Sequence, residues 1–312
     1  MAHHALLAII GGGNMGRAIV LGALDAKLLA PGEIVVCEPD SAKRDAMRGW
    51  GVQVVAAHGE AMARLLPVPG VLHEIRESYG LAACGGQVLL AVKPQMLGEV
   101  AGELRPHLEA SPRVVISILA GTPTGKIAAA LGAPPVPGGS GGSQKPAGDR
   151  RDTQCGIPII RVMPNTPARL RKSMTAIAHG AGANGAHGSM AYDLFASIGE
   201  VVKIDESLMD AFTALSGSGP AYVFYLAEAM MRAAQEVGFD RITADRVVRQ
   251  TISGAAGLLM DSHEPPEALR GAVTSKGGTT EAAVGELDRS RVADALVRAI
   301  VAGRDRGREL AG

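Results

Sequence analysis

Aromatic side chains are scarce in this chain: Phe, Trp and Tyr together make up 3% of its 312 residues. A core must therefore be built from Ala, Val, Leu, Ile and Met, which favours buried parallel strands and closely packed helices over a β-sandwich. Hydrophobic residues at 47% and charged ones at 20% are enough for such a core and exclude a disordered chain. Cysteine is equally sparse. Cys37, Cys84 and Cys155 are odd in number and far apart, which excludes a disulfide framework and a metal-ligand cluster and fits a reducing, cytoplasmic compartment. Net charge is missing too, since 31 basic residues balance 31 acidic ones. Without a basic surplus to release counterions, nucleic acid is not an expected partner. No apolar stretch reaches the ~20 residues of a membrane span. The apolar run at 1–10 lacks a basic flank and a small-residue cleavage pattern, so it reads as a buried first strand and not as a signal peptide. A soluble protein without membrane contact is expected.

What the chain does have is an alternation. Residues 5–10 (ALLAII), 34–37 (IVVC), 52–55, 87–92 (QVLLAV) and 113–118 (RVVISI) are short apolar runs, as expected of strands covered on both faces. Helix-compatible sequence lies between them, including residues 18–29, stopped by Pro31-Gly32, and residues 41–50. The expected fold is α/β, a Rossmann-type doubly wound parallel sheet with right-handed crossovers. Residues 157–163 (IPIIRVM), 175–178 and 200–204 supply its last strands. Residues 132–156 are rich in Pro, Gly and Ser without a hydrophobic period, which predicts a flexible surface insertion. From 208 onward the strand signal ends, and 208–215, 220–237, 244–260, 266–273, 280–287 and 291–308 read as helices. The helix from Pro220 is apolar over most of its circumference, which predicts burial on several sides and points to an obligate dimer.

Gly11-Gly12-Gly13-Asn14-Met15-Gly16 matches G-x-G-x-x-G, placed after a strand and before a helix, the context of a dinucleotide site. Gly11 permits a tight turn, Gly13 lets the backbone approach a diphosphate, and Gly16 lets helix and strand pack closely. The N–H groups of Asn14 and Met15 then belong to a helix N-terminus, which favours phosphate. Glu38 ends the second strand about twenty residues on, where an acid binds the ribose hydroxyls of NAD and repels the extra phosphate of NADP. Asp40 is expected to point the same way, whereas Lys43 and Arg44 follow at once and could hold a phosphate, so NADH and NADPH both stand as cofactors. The expected domains are 1–205, dinucleotide-binding, with the insertion at 132–156, and 206–312, helical, for substrate binding and dimerisation.

Five strings, in order and spanning nearly the whole chain, resemble the pyrroline-5-carboxylate reductase family: IGGGNMG at 10–16, LAVKPQ at 90–95, RVMPNTPA at 161–168, LSGSGPAY at 215–222 and VTSKGGTT at 273–280. The resemblance implies NAD(P)H-dependent hydride transfer to the imine of Δ1-pyrroline-5-carboxylate, giving proline. It further implies that Ala91, Lys93 and Pro94 border the nicotinamide, with Lys93 acting through its backbone. A buried lysine can also shift its pKa toward neutrality and act as an acid, so that role stays open for Lys93. Asn165, between two prolines, is suited either to a rigid turn or to ligand contact. Ser216, Ser218 and Gly219, and Gly277, Gly278, Thr279 and Thr280, stand at two helix starts whose amides and hydroxyls suit a small carboxylate; helix capping is the plainer reading of each loop alone. Ser218 and Thr279 are the candidate catalytic residues, with Tyr222 or water as alternative proton relays, and no metal is expected. The resemblance also implies interlocked helical domains in a homodimer or a larger homo-oligomer built from dimers. In that arrangement the Gly-Gly-Thr loop reaches the neighbour's site. Glu206 matches an acidic family position near the nicotinamide; a first-turn dipole partner of its own helix is the simpler reading.

The chain departs from the family at Lys276, where proline is usual, near His58, where an asparagine is common, and at Glu38, which replaces small or amide residues. Residues 66–84 and 132–156 look like insertions. One rival reading, a β-hydroxy-acid dehydrogenase, relies on a lysine of a second-domain helix, and 220–237 and 244–260 contain none. Another, a nucleotide sensor without activity, predicts loss of the SGSG and GGTT loops, and both are present.

Overall fold

A computed structural model describes residues 4–66, 86–111, 113–133 and 156–311. Cys84, Cys155 and nearly all of both insertions lie outside the described residues. The chain divides into two compact units, Met1–Gly217 with Arg306–Gly312, and Ser218–Asp305.

The first unit is organised by an eight-stranded sheet in the order β3-β2-β1-β4-β5-β6-β7-β8. The strands are β1 (Leu7–Ile10), β2 (Ile34–Cys37), β3 (Gln53–Val55), β4 (Gln87–Leu90), β5 (Val115–Ser117), β6 (Ile159–Met163), β7 (Ser173–His179) and β8 (Gly199–Lys203). Each lies on a run read from the sequence, within a few residues at the ends. The expectation of a wholly parallel sheet is corrected at one place: β7 runs antiparallel to β6, with Arg161 opposite Ala178, and β8 is parallel to β7. The short turn after β6, a 3-10 helix at Thr166–Leu170 closed by Arg171 at φ +56°, leaves no length for a crossover helix, so the chain must return antiparallel.

Every residue of β1 is buried, and successive side chains serve opposite faces. Leu7 and Ile9 join a core with Ile19 and Val20 of α1 (Asn14–Asp25), Met47 of α2 (Ser41–Arg48) and Phe195 of α6 (Ser189–Ala196). Ala8 and Ile10 join a second core with Met62 of α3 (His58–Arg64), Leu104 of α4 (Leu97–Ala110) and Ile127 of α5 (Thr124–Ala130). Helices therefore cover both faces, which is why the strands are apolar throughout instead of alternating. After β8 come a 3-10 turn (Glu206–Leu208), the short α7 (Met209–Phe212) and a π-helical turn (Thr213–Gly217). Residues 208–215, expected as one helix, are thus split among three helical geometries.

The second unit comprises α8 (Gly219–Glu236), α9 (Arg241–Asp261), α10 (Pro266–Ala272), α11 (Thr279–Arg289) and most of α12 (Val292–Ala311). Pro220 sits in the first turn of α8, where its missing N–H costs nothing. Asp240 caps α9 by accepting from the N–H groups of Ile242 and Thr243. Burial of α8 on several sides is not met within one chain: none of its residues is buried, and Phe224 and Tyr225 are 62% and 72% exposed. An exposed apolar helix face of this kind marks an interaction surface. No described helix is long and apolar enough to cross a membrane.

Candidate active site

Strand order reverses between β1 and β4, so the crevice beyond their C-terminal ends is the place where an open α/β sheet binds a ligand. Gly11 follows β1 and Ala91 follows β4. Their backbones touch so closely that a Cβ on Gly11 would come within 2.6 Å of the Ala91 carbonyl oxygen, and Gly11 has φ +112°. Only glycine satisfies both demands. At Gly16 the close neighbour is the loop itself, because a Cβ there would lie 2.3 Å from the Gly11 carbonyl oxygen. Above Gly13 there is open space. The α1 N-terminus has no side-chain cap at Gly13 and no acid in its first turn. Its first N–H groups, those of Asn14, Met15 and Gly16, therefore lack intrahelical partners and fit the diphosphate of a dinucleotide.

Glu38 is buried beside this loop at 6% exposure. Its Oε2 accepts from the Gly12 N–H at 2.9 Å and its Oε1 from the Asp40 N–H at 3.1 Å. Asp40 does not share that role: its carboxylate turns onto the N–H groups of Ala42 and Lys43 and caps α2. Lys43 Nζ lies 3.8 Å from Glu38 Oε1 and 3.8 Å from Asp40 Oδ2. Arg44 Nη1 donates to the carbonyls of Glu38 and Pro39 at 2.8 and 2.6 Å. His58 Nδ1 pairs with Glu103 Oε2 at 2.7 Å. The Cys37 thiol is pushed up to about 12, first by burial and then by the charges of Glu103, Glu38 and Glu60. A thiol so held stays protonated and is no nucleophile. Lys93 is exposed and precedes a 3-10 turn at Pro94–Met96, which removes the burial on which an acid role for its amine depended.

Further along the same sheet lies a polar cluster that the sequence reading missed. Arg161, 4% exposed in the middle of β6, reaches Glu206 Oε1 at 3.4 Å and Asp210 Oδ1 at 3.5 Å. Glu206 also accepts from the Thr124 N–H at 2.7 Å and the Thr124 hydroxyl at 2.6 Å. Glu206 stands in the first turn of its own 3-10 segment, as read from the sequence, and its carboxylate also meets the N-terminus of α5. A lone arginine inside the apolar run IPIIRVM was the available signal, since a buried charge demands a partner. Asn165, two residues beyond β6, spans further than a local turn. Its Oδ1 accepts from the Met174 N–H at 3.0 Å and the Ser173 hydroxyl at 3.2 Å, and its Nδ2 donates to Ser216 O and Oγ at 3.1 and 3.3 Å. Ser216 belongs to the π-helical turn, a geometry frequent at functional sites. Because its oxygen accepts from Asn165, its own O–H is left to donate.

In the second unit, Ser218 precedes α8 without capping it, and Gly219 and Pro220 open the helix. In the other loop Gly277, at φ +72°, donates its N–H to Glu281 Oε2 at 2.7 Å, and Gly278 donates to Ser275 O at 3.0 Å. The amides of both glycines thus have partners within the chain, Glu281 of α11 for Gly277 and Ser275 for Gly278, where open amides were expected. The Thr274 hydroxyl is likewise spent on Arg270 O at 2.7 Å. Thr279 and Thr280 begin α11, whose N-cap Gly278 offers no side chain. The first N–H groups of that helix remain open to a carboxylate. No group of His, Cys, Asp and Glu among the described residues could hold a metal.

Comparison with known proteins places this geometry. Residues 206–310 match the family described as pyrroline-5-carboxylate reductase dimerisation, and residues 6–121 match that described as NADP oxidoreductase, coenzyme F420-dependent. The chain is 35% identical over 307 residues to a pyrroline-5-carboxylate reductase of Synechocystis, covering 97% of each protein. The structure of a pyrroline-5-carboxylate reductase from Coxiella burnetii superimposes with a TM-score of 0.77 at 29% identity, covering 99% of each chain. A Plasmodium falciparum pyrroline carboxylate reductase crystallised with NADP shares the fold, with a TM-score of 0.74 at 22% identity over the whole of both chains. With similarity running through the glycine loop, the sheet and the helical unit alike, the chain belongs to the pyrroline-5-carboxylate reductase family.

Proposed function

We infer that the chain reduces Δ1-pyrroline-5-carboxylate to L-proline, the last step of proline biosynthesis, with NADH or NADPH as hydride donor. The observation that carries this reading is similarity over 97% of the chain to a curated enzyme of that name, taking in both the nucleotide loop and the SGSG and GGTT segments. The uncapped α1 N-terminus at the strand-order reversal supports a dinucleotide there.

Bound reduced nicotinamide supplies the hydride. In our reading the N–H groups of Gly13, Asn14, Met15 and Gly16 hold its diphosphate, Gly11 shapes their turn, Glu38 holds the adenosine ribose, and Ala91, Lys93 and Pro94 border the nicotinamide through their backbone. Ser216, Gly219 and Thr280 are assigned to the substrate carboxylate, with Gly277 and Gly278 shaping the loop rather than donating. Ser218 and Thr279 are assigned to the ring nitrogen. Hydride addition to a protonated imine carbon gives the secondary amine directly, so no strong acid is required. A hydroxyl that stabilises the N–H and keeps water away is enough. The division of labour is 1–205 for nucleotide and 206–312 for substrate and dimerisation.

A homodimer is proposed as the smallest active form, supported by the match to a dimerisation family and by the uncovered apolar surface of α8. A cytoplasmic location is proposed on the free, buried thiol of Cys37, which suits a reducing compartment. The test is absorbance decay of NADH and, separately, NADPH on adding pyrroline-5-carboxylate. Turnover with at least one is expected, and inertness with both would refute the reading. Thr279→Ala should lower kcat/KM for the substrate while leaving nucleotide affinity unchanged, and an unchanged rate would remove Thr279 from the site.

A further inference from the structure

We propose that Glu38 makes this chain selective for NADH over NADPH, an inference that rests on reading the chain as a nicotinamide-dependent reductase. Order along the sequence left the matter open, because two acids, Glu38 and Asp40, are followed at once by two cations, Lys43 and Arg44. Those four charges cancel, so selectivity depends on which group stands where the adenosine ribose would lie. The geometry points to Glu38. It directly follows β2, beside the glycine loop, at the place where an acid in this fold meets the 2′-hydroxyl.

Its carboxylate is also fixed there. The side chain is 7% exposed, and its two oxygens accept from Gly12 N–H at 2.9 Å and Asp40 N–H at 3.1 Å. Swinging it aside for a 2′-phosphate would strip the buried Gly12 N–H of its partner. Gly12 itself has no room for a side chain, since a Cβ on it would lie 3.1 Å from Glu38 Cβ and 2.6 Å from Met47 Cε, so the loop backbone runs close against Glu38. A phosphate arriving here meets a carboxylate that does not yield.

Both nearby cations already have partners. Arg44 Nη1 is spent on the carbonyls of Glu38 and Pro39, and Lys43 divides its charge between two carboxylates, each 3.8 Å away. Asp40, committed to capping α2, adds negative charge near the same spot without leaving it. The fixed carboxylate still has lone pairs to accept from ribose hydroxyls, so the arrangement that excludes a phosphate welcomes a diol.

The test is calorimetric titration of the full-length protein with NAD⁺ and with NADP⁺, without substrate, beside Glu38→Ser and Glu38→Gln. The wild-type protein is expected to bind NAD⁺ more tightly by about tenfold or more, which is 1.4 kcal/mol. Glu38→Ser should shift the ratio toward NADP⁺ by a similar factor. Glu38→Gln, which keeps the shape and removes the charge, should shift it in the same direction. Equal affinities or tighter NADP⁺ binding by the wild type would overturn the proposal. So would variants that weaken both nucleotides alike, which marks Glu38 as a brace for the loop and nothing more. If Glu38→Ser does not fold, the wild-type ratio and Glu38→Gln decide the matter. Selective NAD⁺ binding without turnover of pyrroline-5-carboxylate removes the reduction reading and leaves this one. Equal turnover with both cofactors does the reverse.

Discussion

Replacing Asn165 by Ala tests whether the turn after β6 sets up the substrate segment. The side chain makes two separable attachments: Oδ1 holds Met174 N–H and the Ser173 hydroxyl, and Nδ2 holds the carbonyl and hydroxyl of Ser216. The first secures the turn to β7, and the second secures the π-helical turn to both. Net hydrogen bonds in folded proteins contribute about 1 kcal/mol each, and an orphaned buried group costs about 1–3 kcal/mol, so the loss amounts to about 2–4 kcal/mol. That is a sizeable part of a marginal total stability. Asn165→Asp keeps the acceptor side and loses only the donor to Ser216, replacing it with an oxygen that faces the Ser216 carbonyl. Both variants are expected to fold with lowered melting temperatures. Their NAD⁺ affinity should be unchanged by calorimetry, because Asn165 touches no part of the glycine loop. Their kcat/KM for pyrroline-5-carboxylate should fall by about tenfold or more, the equivalent of 1.4 kcal/mol at the substrate segment. A melting temperature that drops while kcat/KM stays at the wild-type value would refute the argument, and so would equal losses of nucleotide and substrate binding.

Three further outcomes are expected. Gly11→Ala combines φ +112° with a Cβ 2.6 Å from backbone oxygen, so nucleotide binding should be lost while far-UV circular dichroism stays native; retained affinity would contradict the tight-turn account. Phe224→Asp puts a charge on the uncovered α8 surface and should reduce the light-scattering mass and turnover together, whereas an unchanged mass would exclude that surface from the interface. The His179 imidazole is held below its ordinary value by burial and by the charges of Lys203 and His187, and His187 is itself lowered by burial. The unfolded chain therefore takes up protons first as pH falls, so this stability is fully present above about pH 6.5 and is lost below it. Urea midpoints should drop between about pH 8 and about pH 5.5, less so in His179→Asn, and identical profiles for variant and wild type would refute the assignment.

Much of the fold was legible because β1, β2 and β4 are buried on both faces and carry uninterrupted apolar runs. The glycine loop was legible because its spacing and its strand-to-helix context coincide. The antiparallel β7 was not, since strand direction depends on the length of the preceding connection and leaves no mark in the strand's own residues. Nor did the sequence settle what α8 packs against; an apolar circumference predicts burial but does not say whose surface provides it. At the site, the sequence placed Glu38 as an acid at a strand end, whereas its burial, the capping role of Asp40 and the backbone attachments of Arg44 depend on side-chain direction. The loop at 274–280 illustrates the same gap: Gly277 and Gly278 suggested open amides, and Glu281, in the first turn of the following helix, takes one of them. Arg161 could have been singled out as a charge in an apolar strand, but its partners Glu206 and Asp210 lie far along the chain.

The central claim is that this chain passes hydride directly from a nicotinamide to the imine carbon of a cyclic amino acid. The most direct measurement is mass spectrometry of the product formed with NADH deuterated at the transferring position of C4. Proline carrying one deuterium on its δ-carbon is the expected product. Proline without deuterium, or cofactor oxidation with no proline formed, would contradict the account.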